Sequence, residues 1–258
     1  ECHGAKANVL ADLLKNHGSH IAHRYGMTGT MPKDEYESQK VLLSLGDIQY
    51  EITAAMLIDA GFLSTIEINI LQLMEEFDDG YFPDYASETA YLRGSKERIQ
   101  WIANLAAQIT SKEKSNTLIL VGSIPFGKKL AKAIGAHFVY GVDKTSTRKE
   151  AYDLFKTEDN VVVVTTVQVA GTGLSIDRIF NLFLIDLGKS FIRTIQAVGR
   201  GLRKNEKAGK DHCEIYDICS NLKYSKQHLR KRVKFYKESS YPYKKTQVKN
   251  YIDTVDSD

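Results

Sequence analysis

The chain has 258 residues and a formal net charge of +3. With 43% hydrophobic and 26% charged residues, its composition excludes disordered, collagen-like and coiled-coil architectures. No apolar run reaches the roughly 18 residues of a membrane span, and no secretory leader is visible. The three cysteines, Cys2, Cys213 and Cys219, make neither a disulfide framework nor a zinc pattern, which points to a reducing compartment such as the cytoplasm. The length suits one large domain or two small ones.

The net charge hides a split. Residues 1–92 hold 5 Lys and Arg against 15 Asp and Glu, whereas residues 93–258 hold 30 against 17. Such asymmetry suggests two bodies with different partners, the basic one a candidate for nucleic acid. Residue 1 is Glu, so the chain is expected to be processed or cut from something longer.

In chain order, residues 3–17 have helical spacing, with Val9, Leu10, Leu13 and Leu14 on one side. Pro32, Asp34 and Glu35 read as a turn and a helix start. Thr65–Met74 alternates apolar and polar residues, as a half-buried strand does. Residues 75–92 are acidic, aromatic and turn-rich and read as a surface linker. Residues 94–112 form an amphipathic helix around Ile99, Trp101, Ile102 and Leu105. Then come strand TLILVGS (117–123), a helix closed by Gly135, strand 137–141, helix 146–156, strand 161–167, strand 179–187, a helix over 190–203 and strand 213–219. Nearly unbroken β-branched runs alternating with helices predict an α/β fold with a parallel sheet covered on both faces. Ligands of such sheets sit at the carboxyl ends of the strands. That singles out Gly122-Ser123, Thr165-Thr166 and the loop around Gly171–Gly173.

Residues 190–204 contain Gln196, Gly199, Arg200 and Arg203 in the pattern Q-x-x-G-R-x-x-R. On a helix the two arginines share a face, and two planar, permanently charged donor forks suit a triphosphate. The same spacing also fits a solvated basic helix end. Upstream, Thr165-Thr166 and Gly171-Thr172-Gly173 follow an apolar strand, where small residues and free amides could approach phosphates or form only a tight turn. Glu1-Cys2-His3 and Thr28-Gly29-Thr30 say little by themselves.

The order of these segments resembles the superfamily-two helicases and translocases. E-C-H looks like the tail of the D-E-x-H box of motif II, T-G-T like motif III, Thr117–Ser123 like motif IV, Val161–Ile176 like motif V, and Gln196–Arg203 like motif VI. Segments 53–71, 93–106 and G-R-G-L-R-K bring the chain nearest to the phage UvsW-type DNA helicases. The resemblance implies a RecA-like sheet and an ATP- and Mg²⁺-dependent motor acting on single-stranded or branched DNA. It also implies a monomeric, cytoplasmic protein with no membrane contact. Glu1 would polarise the attacking water. His3, Thr28, Gly29 and Thr30 would couple nucleotide to nucleic acid. Arg200 and Arg203 would reach the γ-phosphate, with Gln196 bridging the lobes. Gly171, Thr172, Gly173 and Ser175 would line the nucleotide cleft, and Ser123, Thr165 and Thr166 would touch the nucleic-acid backbone. Ala197 stands where many members have Arg, and Ser175 where many have Asp.

No G-x-x-x-x-G-K-[ST] loop occurs in the sequence, and Gly127-Lys128-Lys129 lacks its third residue. Without that loop the β- and γ-phosphates and Mg²⁺ lack their main cradle. The expectation is therefore a piece of a two-lobed motor, inactive alone. It would comprise the end of a first RecA-like lobe (1–33), a connector (34–92) and a complete second lobe with a basic tail (93–258). No metal site is expected in this piece.

The stretch 223–249 carries ten Lys and Arg, one Glu and five aromatics, densest at Arg230-Lys231-Arg232. The basic groups could track phosphates and the aromatics could stack on bases. Alternatively Leu229, Val233 and Tyr236 form the buried stripe of a helix whose other face is merely solvated. Two other functional readings remain at this point. One is a non-catalytic nucleic-acid-binding module with the same fold, the other the motor part of a restriction enzyme.

Overall fold

The computed structural model describes residues 2–29, 31–32, 34–77, 80–112, 115–141, 143, 145–170, 178–188 and 209–251. Two compact units divide between Ile52 and Thr53. In the first, a 3₁₀ turn (Cys2–Lys6) leads into α1 (Asn8–Asp12), a wider π turn (Leu13–His17) and α2 (Glu35–Leu45). The predicted apolar side of residues 3–17 is largely uncovered within this unit, with Val9 85% and Leu13 54% exposed. Asp34 caps α2, accepting from the Glu37 amide at 3.0 Å, as its sequence position predicted.

The second unit is built on seven strands among the described residues. They are β1 (Thr65–Leu73), β2 (Thr117–Val121), β3 (His137–Val139), β4 (Val162–Thr166), β5 (Asn181–Ile185), β6 (His212–Ser220) and β7 (Tyr243–Val248). All pairings are parallel, in the order β3-β4-β2-β5-β6-β1-β7. Among the described residues its helices are α3 (Ala54–Asp59), α4 (Tyr85–Gly94), α5 (Lys96–Thr110), α6 (Ile124–Ile134), α7 (Thr145–Thr157), α8 (Val167–Ala170) and α9 (Lys223–Glu238). This is the α/β sheet the sequence predicted.

Both faces of the sheet are covered because side chains alternate along each strand. Leu118, Leu120, Val163, Leu182 and Leu184 pack with Tyr152 and Phe155 of α7 and Leu229 and Tyr236 of α9. Ile119, Val121, Val164, Phe183 and Ile185 pack on the other face with Ile102 and Ala106 of α5 and Phe126 and Leu130 of α6. Gly127 fits α6 against this face. A Cβ there would run into Phe138 and come within 2.9 Å of Val121. The glycine that superficially suggested a phosphate loop is thus explained by close helix–sheet packing. Gly135 ends α6 in the left-handed conformation, φ 75°, as predicted.

Two expectations need correction. β1 lies between β6 and β7 and is buried along most of its length. It is an inner strand rather than half-exposed: β7, which sequence reading missed, pairs along its outer edge, and Ile66, Ile68 and Ile70 pack in one core layer while Leu73 packs in the other. Residues 53–92 lie in the same compact unit as the sheet. Residues 75–92 are more than surface linker. They include α4, which opens with a capping box at Asp84 and Ser87, and they bury Glu75, Glu88 and Leu92.

Candidate nucleic-acid and nucleotide edge

In a parallel sheet every strand ends at the same edge, so the turns after β2, β4 and β5 converge. Ser123 follows β2 and occupies the N-cap position of α6, yet its hydroxyl makes no cap bond. Beside it, the Arg93 guanidinium lies over Gly122, with Nη2 3.3 Å from where a Cβ would stand. Thr165 and Thr166 end β4 on the neighbouring strand. Their side chains are buried, at 0% and 4% exposure. Thr165 Oγ1 accepts from the Tyr152 hydroxyl at 3.1 Å. Within this unit the Thr165 hydroxyl thus serves the core.

The β5 end is fixed by charge. Asp186 adopts a left-handed backbone, φ 46°. Arg98 of α5, wholly buried, donates from Nη2 to both Asp186 oxygens at 2.8 and 2.9 Å. Its Nη1 approaches Glu75 Oε1, just past β1, at 3.5 Å. The Tyr251 hydroxyl donates to both Glu75 oxygens at 2.9 and 2.8 Å, and Tyr91 adds a bond at 3.3 Å. Burial raises the Glu75 pKa above its usual value, although Arg98 and the tyrosines pull it down. Burial works against the Arg98 charge, but Asp186 and Glu75 outweigh it and its pKa rises. Tyr91, buried beside Glu75, is pushed up to about 12. Two strand ends and the start of α5 are thereby tied together immediately before the segment that begins at residue 189.

A second buried pair lies under α9. Arg232 is 3% exposed. Its Nε donates to Asp217 Oδ2 at 2.8 Å and its Nη1 to the Leu187 carbonyl at 2.8 Å. The Tyr236 hydroxyl donates to the same Asp217 oxygen at 2.9 Å. This corrects the expectation that Arg232 tracks phosphates. It lies three residues after Leu229 and four before Tyr236, so it shares their inward face. Arg230 and Lys231 are exposed. The aromatics of the stretch pack inward, with Tyr236 wholly buried and Phe235, Tyr241 and Tyr243 against the same core.

In the first unit His3 Nδ1 lies 2.8 Å from Thr28 Oγ1, and the Cys2 amide donates to the Met27 carbonyl at 2.9 Å. The two sequence segments likened to motifs II and III are therefore joined directly, with Gly29 exposed beside them. Glu1, Thr30, Gly171, Thr172, Gly173, Ser175, Gln196, Arg200 and Arg203 lie outside the described residues. Among the described residues no three His, Cys, Asp or Glu side chains cluster as metal ligands. Most residues that the resemblance assigns to ATP and Mg²⁺ are thus not among those described. The buried thiols Cys213 and Cys219 are pushed up to about 12 by burial, which leaves them inert at neutral pH.

Sequence reasoning missed Glu75, Arg98, Asp186, Glu88 and Asp217. For Arg98 the signal was present: it precedes Ile102 by four residues and Ile109 by eleven, on the buried stripe of α5. A cation on an apolar stripe demands a buried anion.

The family described as Helicase conserved C-terminal domain matches residues 97–205. The ATP-dependent DNA helicase UvsW of Enterobacteria phage T4 is 24% identical over 226 residues, which cover 84% of this chain and 44% of that protein. A protein of the Sulfolobus islandicus filamentous virus named as a helicase is 26% identical, covering 86% of this chain and 42% of its own. The chain thus spans less than half the length of these relatives. The crystal structure of T4 UvsW superposes with a TM-score of 0.58 at 21% identity, covering 71% of this chain and 42% of that one. A fragment described as an HsdR subunit of a type I restriction enzyme from Vibrio vulnificus gives 0.63 at 16% identity, covering 85% and 43%. The sheet is RecA-like, and the chain is similar to the C-terminal part of UvsW, with residues 97–205 matching the helicase C-terminal domain family.

Proposed function

We propose that the chain is the C-terminal part of an ATP-dependent DNA helicase or translocase that unwinds or remodels branched DNA in replication, recombination and repair. The observation that supports this best is the shared edge. Ser123, the β4 end and the clamped β5 end line one side of an all-parallel sheet, and the Q-x-x-G-R-x-x-R segment follows β5 in sequence. In this reading ATP draws Arg200 and Arg203 toward a P-loop lobe supplied by a longer chain, with Gln196 bridging. Glu1 polarises water there, and the His3–Thr28 contact passes the nucleotide state to the strand. Thr30 belongs to that same coupling segment. Gly171, Thr172, Gly173 and Ser175 line the nucleotide side. Ser123 and the main chain at the end of β4 face the nucleic-acid strand, and Arg230 and Lys231 contact DNA phosphates away from that strand. ATP and Mg²⁺ are held mainly by the other lobe.

Forked and linear DNA incubated with the full-length protein and Mg²⁺–ATP test the reading. Faster strand separation or branch regression on the fork, lost with a non-hydrolysable analogue, is the expected result. Equal activity on linear duplex, or none on either, contradicts it.

A further inference from the structure

Helix α9 leaves a line of cations uncovered. Lys223, Arg230, Lys234 and Lys237 are all exposed. They recur at steps of seven, four and three residues, so they follow one side of the helix. At 1.5 Å per residue the line is about 21 Å long. Lys231, also exposed, flanks it. Glu238 is the one carboxylate of α9, 3.6 Å from Lys234, and an exposed pair of that kind holds its cation weakly. Arg232 points the opposite way, into Asp217. What sequence alone presents as one basic cluster is therefore two things: a buried strut and a solvent-facing row.

The row has a direction. α9 begins three residues after β6 ends at the carboxyl edge, and β7 starts again parallel to its neighbour β1. Between them α9 must run back along the face of the sheet toward the amino edge. The row consequently starts at the edge that carries Ser123 and leads away from it.

Its chemistry is narrow. The Tyr224 hydroxyl donates to the Pro83 carbonyl at 3.1 Å. Phe235 and Tyr241 are packed against the core, Tyr236 is buried within it, and Tyr243 lies 6.1 Å from Tyr236, ring to ring. The Tyr224 ring meets Tyr85 edge-on and carries Lys223 Nζ 5.2 Å from its centroid, so the described rings of this segment are already engaged rather than presented for stacking on an unpaired base, the contact that favours single strands. A straight row of point charges instead matches a stiff partner of high linear charge. Double-stranded DNA carries a charge about every 1.7 Å and releases more counterions per contact than a single strand does.

We propose that the exposed row on α9 docks the sugar–phosphate backbone of duplex DNA, beside the single-strand path along the carboxyl edge. This rests on the reading of the chain as part of a nucleic-acid motor and deepens it by assigning a separate duplex contact.

The test uses the 258-residue chain, a labelled DNA duplex and an oligothymidylate carrying the same number of phosphates per strand. Binding is followed by fluorescence anisotropy between about 50 and 200 mM salt. Replacing Lys223, Arg230, Lys234 and Lys237 with Gln should lower the duplex salt slope by about 0.9 per lost contact, to a total of about 3 to 4. Oligothymidylate binding should change much less. Circular dichroism checks that the fold is kept, and Gln at four exposed positions leaves the core untouched. An unchanged duplex slope, or equal losses on both ligands, would overturn the proposal while leaving the motor reading intact. If the unsubstituted chain binds neither ligand, the nucleic-acid reading itself fails, and this inference with it.

Discussion

At the carboxyl edge a single buried guanidinium, that of Arg98, lies between two carboxyl groups, Asp186 and Glu75. Removing it leaves both without their cation, Asp186 in a left-handed backbone. Arg98→Ala should lose about 3–5 kcal/mol of unfolding free energy in urea titration; a loss below about 0.5 kcal/mol would mean the edge is not held this way. Glu75 adds a pH dependence whose sign follows from its raised native pKa. Its stabilising contribution is complete below the ordinary value of 4.5 and fades as pH climbs through the higher native value. Relative to wild type, Glu75→Gln should therefore gain stability as pH rises out of that window. Parallel stability–pH curves for the two proteins would contradict the assignment. Both residues sit in stretches whose sequence suggested something simpler, an amphipathic helix and an acidic linker. Their pairing could not be read in advance because 23 residues and a whole strand end separate Arg98 from Glu75, and only the fold brings Asp186 between them.

At the scale of elements, α9 shows how a helix borrows its cap. Its N-cap residue is Leu222, which offers no side-chain acceptor. Glu88 of α4 fills the role from 136 residues away, accepting from the Tyr224 amide at 2.9 Å and the Ser225 amide at 2.7 Å. A carboxylate at a helix N-terminus also meets the positive end of the helix dipole. Glu88→Ala should cost about 1.5–3 kcal/mol, the range for hydrogen bonds to a charged group, and should speed amide exchange in the first turn of α9. Unchanged exchange there would show that the helix starts without Glu88. Elements with strong local signals were legible: the apolar runs of β2, β4 and β5, the cap at Asp34 and the left-handed stop at Gly135. β7 was not, because Tyr243–Val248 is polar and exposed along most of its length; its backbone pairing with β1 is what makes it a strand. β1 misled because alternation in its sequence suggested one wet face, whereas Asn69 and Gln72 are buried. Gln72 is satisfied by a bond to the Ser220 carbonyl at 3.2 Å.

For the molecule as a whole, the acidic and basic halves do not coincide with the two compact units. The boundary after Ile52 assigns the acidic stretch 53–92 to the same body as the basic remainder. Several of its carboxylates are structural there: Glu75 balances Arg98 and Glu88 caps α9. The excess positive charge is left on surfaces such as α9, where it suits a polyanion. The order of sequence motifs made the candidate edge legible, since in a parallel sheet the turn after each strand must reach one side. What the order could not reveal is which members of a basic cluster face inward, a matter decided by helical phase against a core. In the proposed function this sheet is the second lobe of an ATP-driven motor, and Arg203 reaches the γ-phosphate. DNA-stimulated ATP hydrolysis by the full-length protein, measured for wild type and Arg203→Ala alongside DNA affinity, tests it most directly. The variant should lose stimulated hydrolysis while DNA affinity stays within about threefold, as loss of a transition-state contact requires. Hydrolysis at the wild-type rate would contradict it.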